Sequence, residues 1–174
     1  MRIISLVPVG QVERDHLELL GEQLALRLHA ACLIHPQRQN GDFAYNRTRG
    51  QYHSTEILKR LLHDPHTESW RTLGVTDVDL YIPILTFVFG EAQLGAAGAL
   101  VSTHRLRPEF YGMPQDPELL QARLLKEALH ELGHTFGLRH CSDYLCVMSS
   151  SHSAERIDLK QADFCPACAA VVGL

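Results

Sequence analysis

The stretch HELGHTFGLRH, residues 130–140, determines how the rest of this sequence is interpreted. His130 and His134 are four residues apart, so on a helix they lie roughly 40° apart on one face. Gly137 favours a left-handed turn that ends the helix and reverses the chain, which can bring His140 beside the first two histidines. Three imidazole ligands with a fourth position left to water are typical of a catalytic rather than a structural zinc site.

Glu131 follows the first histidine and is rotated from it by about 100° around the helix axis. Its carboxylate is therefore predicted to reach the attacking water rather than the metal, and to act as general base. The pattern HExxH fixes only three positions, but the added glycine and third histidine make a chance match rare. A solvated helix that carries these histidines by chance is disfavoured for that reason.

The helix that carries the motif is predicted to span about 117–136, with Asp116 as its N-cap. Arg123, Lys126 and Glu127 continue the histidine stripe toward the N-terminus, so we expect that side to meet a cleft or water. Apolar residues on the opposite face are predicted to pack in the core: Leu125, Ala128, Leu129, Leu132 and Phe136.

Strands and helices alternate upstream of the motif, which predicts a single α/β domain over residues 1–174. The predicted elements are a strand at 3–9, a helix at 12–29, a strand at 31–34, a polar loop at 37–51, a helix capped by Ser54 and ending near 62, a connection at 63–74, strands between 75 and 106, and a loop at 107–115. No internal repeat or linker divides them.

Composition restricts the class of protein. The 174 residues carry a formal charge of −4, whereas a nucleic-acid-binding domain is usually basic. This charge leads us to expect no nucleic-acid partner. No apolar run is long enough to span a membrane, so we expect no membrane partner either. The apolar run at 3–9 is predicted to be a first strand, with a secretory signal as the alternative. The expected location is therefore cytoplasmic, where clustered cysteines indicate metal ligation rather than disulfides.

The motif and the residues after it resemble a known family. HELGHTFGLRH is similar to the metzincin signature HExxHxxGxxH, in which a methionine in a tight turn lies beneath the metal, and Met148 matches that methionine. Cys141 directly follows the third histidine, Cys146 comes next, and a CPAC pair ends the pattern at 165–168. This combination resembles the archaemetzincins. Sixteen residues separate Met148 from the last pair, one fewer than in the family pattern, which affects only the length of a loop.

The resemblance implies a second zinc ion, held in a C-terminal zinc-binding region of about 141–174. Four thiolates around zinc leave no open position, so this site would be structural, and the chain would hold two Zn²⁺ ions. Its predicted ligands are Cys141, Cys146, Cys165 and Cys168. The alternatives are two disulfides for the cysteines and a plain core residue for Met148.

The resemblance also extends to VDLYIPILTFVFGEAQLG, residues 78–95, which is similar to the central strand and edge strand of the family. It implies a twisted five-stranded sheet, mostly parallel, with one antiparallel edge strand at about 87–94. An extended peptide would pair with that edge through its backbone. The predicted substrate-binding residues are Phe89, Gly90, Glu91 and Ala92. Glu91 is interpreted either as the partner of a substrate amino terminus or as a solvated charge that protects the edge.

The predicted function is zinc-dependent hydrolysis of peptide bonds in small peptides, and the resemblance implies aminopeptidase action. Arg105 and Tyr111 are expected to flank the entrance of the cleft. The alternative is a catalytically inactive zinc protein that binds a peptide or protein partner. Its cleft would be closed by the loop at 107–115 or by the C-terminal segment. A peptide substrate is the expected partner, and a monomer is the default oligomeric state.

The remaining histidines and the fifth cysteine show no partner pattern. Cys32 lies in an apolar run and is interpreted as a small buried hydrophobe. The histidines are interpreted as surface residues: His16, His29, His35, His53, His63, His66, His104 and His152.

Overall fold

The structure is a computed structural model that describes residues 1–63 and 69–174. His66 and part of the predicted connection at 63–74 lie outside the described residues. The elements are β1 (Ile3–Val9), α1 (Arg14–Leu28), β2 (Ala31–Ile34), β3 (Tyr45–Asn46), β4 (Gln51–His53), α2 (Ser54–Leu62), β5 (Arg71–Thr76), β6 (Leu80–Tyr81), β7 (Gly90–Ala92), β8 (Gly98–Ser102), α3 (Pro117–Thr135), α4 (Ala154–Leu159) and α5 (Pro166–Val172), with 3₁₀ turns at Asp42–Ala44 and Pro108–Tyr111.

The main sheet has five strands in the order β2-β1-β5-β8-β7. The first four strands are parallel, and β7 pairs antiparallel with β8 at the edge. The predicted fold class, a mixed five-stranded sheet with one antiparallel edge strand, is therefore confirmed. A second sheet of three very short strands, β3-β4-β6, lies beside it.

The sheet is covered on both faces, which explains why most residues of its central strands β1 and β5 are buried. On one face, Ile4 and Leu6 belong to a core cluster with residues of α1 and α3. On the other face, Val7 and Val9 belong to a cluster with residues of α2. Helix α3 packs against β7 and β8, so the sheet edge and this helix lie side by side.

The central strand β5 was not predicted correctly, because residues 71–74 were assigned to the connection at 63–74. Gly74 suggested a turn, but here it allows close packing: a Cβ at this position would collide with Leu61 of α2 and lie 2.9 Å from Leu100 Cδ1. The predicted central strand near residue 78 is correspondingly wrong, since Leu80–Tyr81 forms only a two-residue strand of the small sheet.

Two helix details also differ from the prediction. Ser54 is the first residue of α2 rather than its cap, and its Oγ lies 3.1 Å from Tyr81 O. Helices α4 and α5 in the C-terminal region were not predicted. Within residues 1–63 and 69–174, none of the helices combines the length and apolar character required to cross a bilayer.

Candidate active site and metal centres

Helix α3 delivers the first two histidines to the edge of the sheet. Asp116 caps the helix as predicted, its side chain accepting a hydrogen bond from Leu119 N at 3.0 Å. The helix ends at Thr135, and Gly137 adopts a φ of 91°, a conformation that glycine takes readily. The chain turns there and brings His140 back toward the helix.

The three predicted histidines converge. His130 and His134 face each other with 3.2 Å between their Nε2 atoms, and one nitrogen from each of the three rings lies within 4.8 Å of the others. His130 Nδ1 donates to Val147 O at 2.8 Å, and His134 Nδ1 donates to Leu138 O at 2.7 Å. Because each Nδ1 carries the proton, each Nε2 keeps its lone pair for a metal ion.

The surroundings favour neutral imidazoles at His130 and His140. Burial lowers the pKa of His130 well below its ordinary value, and the nearby Lys160 charge lowers it further. Burial also lowers the pKa of His140, followed by the charge of His134. A neutral ring is the form that binds a metal ion, so the donor set fits zinc in both geometry and protonation.

Glu131 lies between the triad and the edge strand. It is 6% exposed, and a Cβ built on Gly90 would lie 2.9 Å from its Oε1 and 2.5 Å from Leu100 O. Burial raises the pKa of Glu131 well above its ordinary value, with a further contribution from the negative charge of Glu127. Glycine at position 90 therefore lets the edge strand approach the carboxylate closely.

The four predicted thiolate ligands also converge: the Sγ atoms of Cys141, Cys146, Cys165 and Cys168 lie within 4.8 Å of one another. Cys141 Sγ and Cys165 Sγ are 3.9 Å apart, far beyond the about 2.05 Å of a disulfide bond. Backbone N–H groups of Met148 and Cys165 donate to Cys146 Sγ at 3.5 and 3.3 Å. Four converging sulfurs with N–H donors fit a closed metal site better than two disulfides.

The two ligand clusters are joined by short backbone contacts. Cys141 N donates to Met148 O at 2.9 Å, and Val147, whose carbonyl holds His130, donates its own N–H to Asp163 O at 2.9 Å. Met148 is completely buried, and its side chain occupies the space where a Cβ on Gly133 of α3 would lie. The methionine therefore packs directly against helix α3.

On the α3 side that was predicted to meet a cleft or water, Glu127 lines the cavity described below, whereas Arg123 is buried and does not face water. Arg123 makes a bidentate ion pair with Asp158 at 2.8 and 2.7 Å, and Glu127 pairs with the buried Lys160. Helix α4 and the residues after it cover this side. Sequence reasoning missed Lys160, because a lysine in a polar segment gives no sign of burial.

A cavity of about 460 Å³ opens over the histidine triad. The segment 85–92 forms one wall, and the residues of α3 that carry the chemistry form another, together with His140 and residues 150–152. The predicted surface residue His152 thus faces the cavity. Within the described chain, no residue of the loop at 107–115 lines it.

The remaining predicted site residues lie on or near this cavity. Phe89, Gly90, Glu91 and Ala92 all line it. The Glu91 carboxylate accepts hydrogen bonds from Thr55 Oγ1, at 2.7 Å, and from Ser54 Oγ. Arg105 and Tyr111 do not line the cavity; Arg105 instead pairs with Asp79, and its carbonyl accepts a hydrogen bond from the Tyr111 hydroxyl.

Comparisons with known proteins give a consistent result. Residues 24–173 match the family described as Peptidase family M54. The chain is 53% identical to an archaemetzincin of Thermococcus kodakarensis, over 97% of this chain and 94% of the relative. It resembles the crystal structure of an archaemetzincin from Archaeoglobus fulgidus, with a TM-score of 0.84, 38% identity, and coverage of 97% and 99% of the two chains. A zinc-dependent peptidase from Methanocorpusculum labreanum gives a TM-score of 0.87 at 29% identity, with the same coverage.

Proposed function

Because the chain belongs to the archaemetzincins, the zinc metallopeptidase family M54, we propose that it hydrolyses peptide bonds with Glu131 as general base. The observation that carries the proposal is the convergence of three imidazole nitrogens beside a buried carboxylate in an open cavity. His130, His134 and His140 would hold the catalytic zinc through these nitrogens.

Zinc at the triad would supply a Lewis acid that polarises the scissile carbonyl and makes water more acidic. Glu131 accepts the proton of the attacking water on a carboxylate oxygen and passes it to the departing amine. The backbone carbonyls of Val147 and Leu138 keep the first two rings in the tautomer that this arrangement requires. Burial of Glu131 excludes bulk water from the proton transfer.

We propose that the substrate binds as an extended strand along residues 89–92. Strand β7 pairs with β8 on one side only, so its outer edge can accept a further strand. A peptide antiparallel to β7 would run with its amino-terminal half toward Ala92 and its carboxyl-terminal half toward Phe89. Gly90 contacts Glu131, so the scissile bond would lie opposite Gly90.

We propose more specifically that the chain removes amino-terminal residues, as an aminopeptidase does. Glu91 lies beyond Gly90, on the side where the amino-terminal half of such a peptide would be, and it lines the same cavity. Ser54 and Thr55 hold its carboxylate with their hydroxyl groups, which fixes a negative charge at this position. An α-amino group bound there would place the first peptide bond near Glu131.

We further propose a second, structural zinc ion on Cys141, Cys146, Cys165 and Cys168. The convergent sulfurs support this assignment, and the thiolates it needs are stable in a reducing compartment such as the cytoplasm. The chain would then act as a monomer on peptides, with two zinc ions and without nucleic acid or membrane partners.

The test compares the zinc-loaded wild type with the Glu131→Ala variant. We expect two zinc ions per chain in both proteins, measured by elemental analysis, and cleavage of a mixed peptide library by the wild type alone. Peptides with free and with acetylated amino termini distinguish an aminopeptidase from an endopeptidase, since an aminopeptidase cleaves only the free form. A wild type that binds both metals yet cleaves nothing would overturn the catalytic proposal and leave the catalytically inactive binding protein.

A further inference from the structure

The segment 150–152 forms a polar wall of the cavity over the histidine triad. The wall has no helix or strand of its own, but it is held at both ends. Before it, Ser149 N donates to Cys146 O at 2.9 Å. After it, Ser153 caps helix α4 by accepting a hydrogen bond from Arg156 N at 3.4 Å. The position of the polar wall is therefore fixed by the turn that precedes it and the helix that follows.

The periodicity of α3 places the polar wall and the edge strand on different sides of the triad. Asp158 of α4 pairs with Arg123, which lies seven residues before His130 and so almost on the same face of α3. Helix α4 and the polar wall directly before it thus meet α3 on the His130 side. Glu131 lies about 100° further round the helix and approaches Gly90 of the edge strand. A substrate in the cavity therefore has Glu131 on one side and the polar wall on the other.

His152 carries the strongest hydrogen-bond donor of the polar wall. Its side chain is exposed and lines the cavity. Within the part of the chain that the structure describes, its ring has a single long polar contact, 3.5 Å between Nε2 and Ser150 Oγ. An imidazole carries at least one N–H group whether it is neutral or charged. The His152 ring therefore keeps a donor for a ligand.

The neighbouring Ser151 indicates a polar ligand as well. Its Oγ is buried and has no hydrogen-bond partner across residues 1–63 and 69–174, although the residue lines the cavity. A buried hydroxyl without a partner is costly, and such groups are usually satisfied by a ligand or by water. The polar wall is thus suited to meet polar atoms in the cavity.

The other cavity residues leave His152 as the nitrogen donor that a reacting oxygen can use. Of the described residues that line the cavity, only the triad and His152 have side-chain nitrogens, and the triad nitrogens are assigned to zinc. The carboxylates of Glu91, Glu127 and Glu131 only accept hydrogen bonds. Lys160 compensates the charge of Glu127 but does not itself line the cavity.

Building on the hydrolysis proposed above, we propose that His152 is a further catalytic residue, which donates a hydrogen bond to the carbonyl oxygen of the scissile bond. When water attacks the carbonyl carbon, Glu131 takes a proton from the water and the π electrons of the C=O bond move onto this oxygen. The electrons return as the C–N bond breaks, Glu131 gives its proton to the departing nitrogen, and the new carboxylic acid ionises. His152 keeps its proton throughout. Its hydrogen bond is stronger to the charged oxygen than to the neutral carbonyl, so it lowers the barrier.

The kinetic experiment compares zinc-loaded wild type, His152→Ala and His152→Gln on one peptide. Removal of such a donor costs about a hundredfold in kcat, so we expect this fall in His152→Ala with a KM changed by less than about threefold. Glutamine keeps an N–H donor, and His152→Gln should stay within about tenfold of the wild type. His63→Ala is the matched control, since His63 is an exposed histidine at the end of α2 that does not line the cavity. Elemental analysis is expected to give two zinc ions in every protein.

Titration calorimetry separates binding of the charged oxygen from binding of the substrate. A phosphinic peptide resembles the transition state because its tetrahedral phosphorus carries a negative oxygen, and it is not cleaved. We expect the wild type to bind it at least about tenfold more tightly than His152→Ala does. The ordinary peptide should bind equally to Glu131→Ala and to Glu131→Ala/His152→Ala.

An unchanged kcat, an unchanged affinity for the phosphinic peptide, or equal losses for both ligands overturns the proposal. A zinc ion lost only in His152→Ala also overturns it, since His152 would then act on the metal site. A wild type that cleaves no peptide refutes the proposed hydrolysis, while the phosphinic peptide still decides whether His152 binds the oxygen.

Discussion

Lys160 Nζ lies 2.9 Å from Glu127 Oε1, and the two side chains are only 1% and 4% exposed. The ammonium group is also 3.3 Å from Ser149 O and 3.5 Å from His130 Nδ1. One buried ion pair thus joins the C-terminal segment to the metal-binding helix, one turn before the first histidine. Glu127 also lines the cavity over the triad.

Removing one partner of this pair should be costly. Lys160→Met leaves the Glu127 charge buried without a counter-ion, and we expect a loss of about 3–5 kcal/mol in the free energy of unfolding. Urea unfolding of the zinc-loaded protein measures it. The double variant Lys160→Met/Glu127→Leu should recover most of the loss, because no unpaired charge remains. A single variant within about 1 kcal/mol of the wild type would contradict the pairing.

The metal-binding half of the site could be predicted from sequence because its geometry is local. His130, Glu131 and His134 lie on one helix whose periodicity fixes their relative positions, and Gly137 marks where the chain must turn. These relationships need no knowledge of the rest of the fold. The cluster of four cysteines, in contrast, was implied by the family resemblance, because its two pairs lie in separate segments of the chain.

Long-range packing could not be predicted in this way. Gly74 resembles a turn residue in sequence, and only the approach of Leu61 and Leu100 explains a glycine in the central strand. Lys160 resembles a surface lysine until Glu127, 33 residues earlier, is placed beside it. The segment 85–87 is held by Arg49, which donates to Leu85 O and Thr86 O, and by Arg105, which lies over the Phe87 ring; both belong to distant segments.

Gly90 should be intolerant of a side chain. In Gly90→Ala the new methyl group would lie 2.9 Å from Glu131 Oε1 and 2.5 Å from Leu100 O, so either the edge strand or the carboxylate must move. We expect kcat/KM to fall by about a hundredfold, the scale of a misplaced catalytic group, while two zinc ions remain bound. Peptide assays together with elemental analysis test this. Full activity in the variant would show that the contact between edge strand and carboxylate is unimportant.

Cys32 should be chemically inert in the folded protein. Burial raises the pKa of its thiol to about 11, so at pH 8 only about 0.1% is thiolate, the reactive form. The pKa of this thiol is higher in the folded than in the unfolded protein. Its contribution to the free energy of unfolding is therefore complete below the unfolded pKa of about 8.5 and is lost as the pH rises toward 11.

We therefore expect slow alkylation of Cys32 by iodoacetamide at pH 8, and a wild type that loses stability relative to Cys32→Ala between pH 8.5 and 11. Mass spectrometry of the native and the denatured protein measures the labelling, and urea unfolding measures the stability. Rapid labelling of native Cys32 would contradict the raised pKa of its thiol.

The second ligand cluster should support the first. Cys165→Ser removes one sulfur from the site that ties residues 141–148 to the C-terminal helix α5, and a structural zinc site contributes directly to folding. We expect one zinc ion fewer per chain and a Tm lower by about 10 °C, which corresponds to roughly 3 kcal/mol for a chain of this length. Cys141 N donates to Met148 O, so loosening this region should also release His140 and weaken the remaining zinc by about 10–100-fold. Cys32→Ser, which changes a cysteine outside the cluster, is the control and should keep both ions. If Cys165→Ser retains two zinc ions, the four sulfurs do not form a metal site.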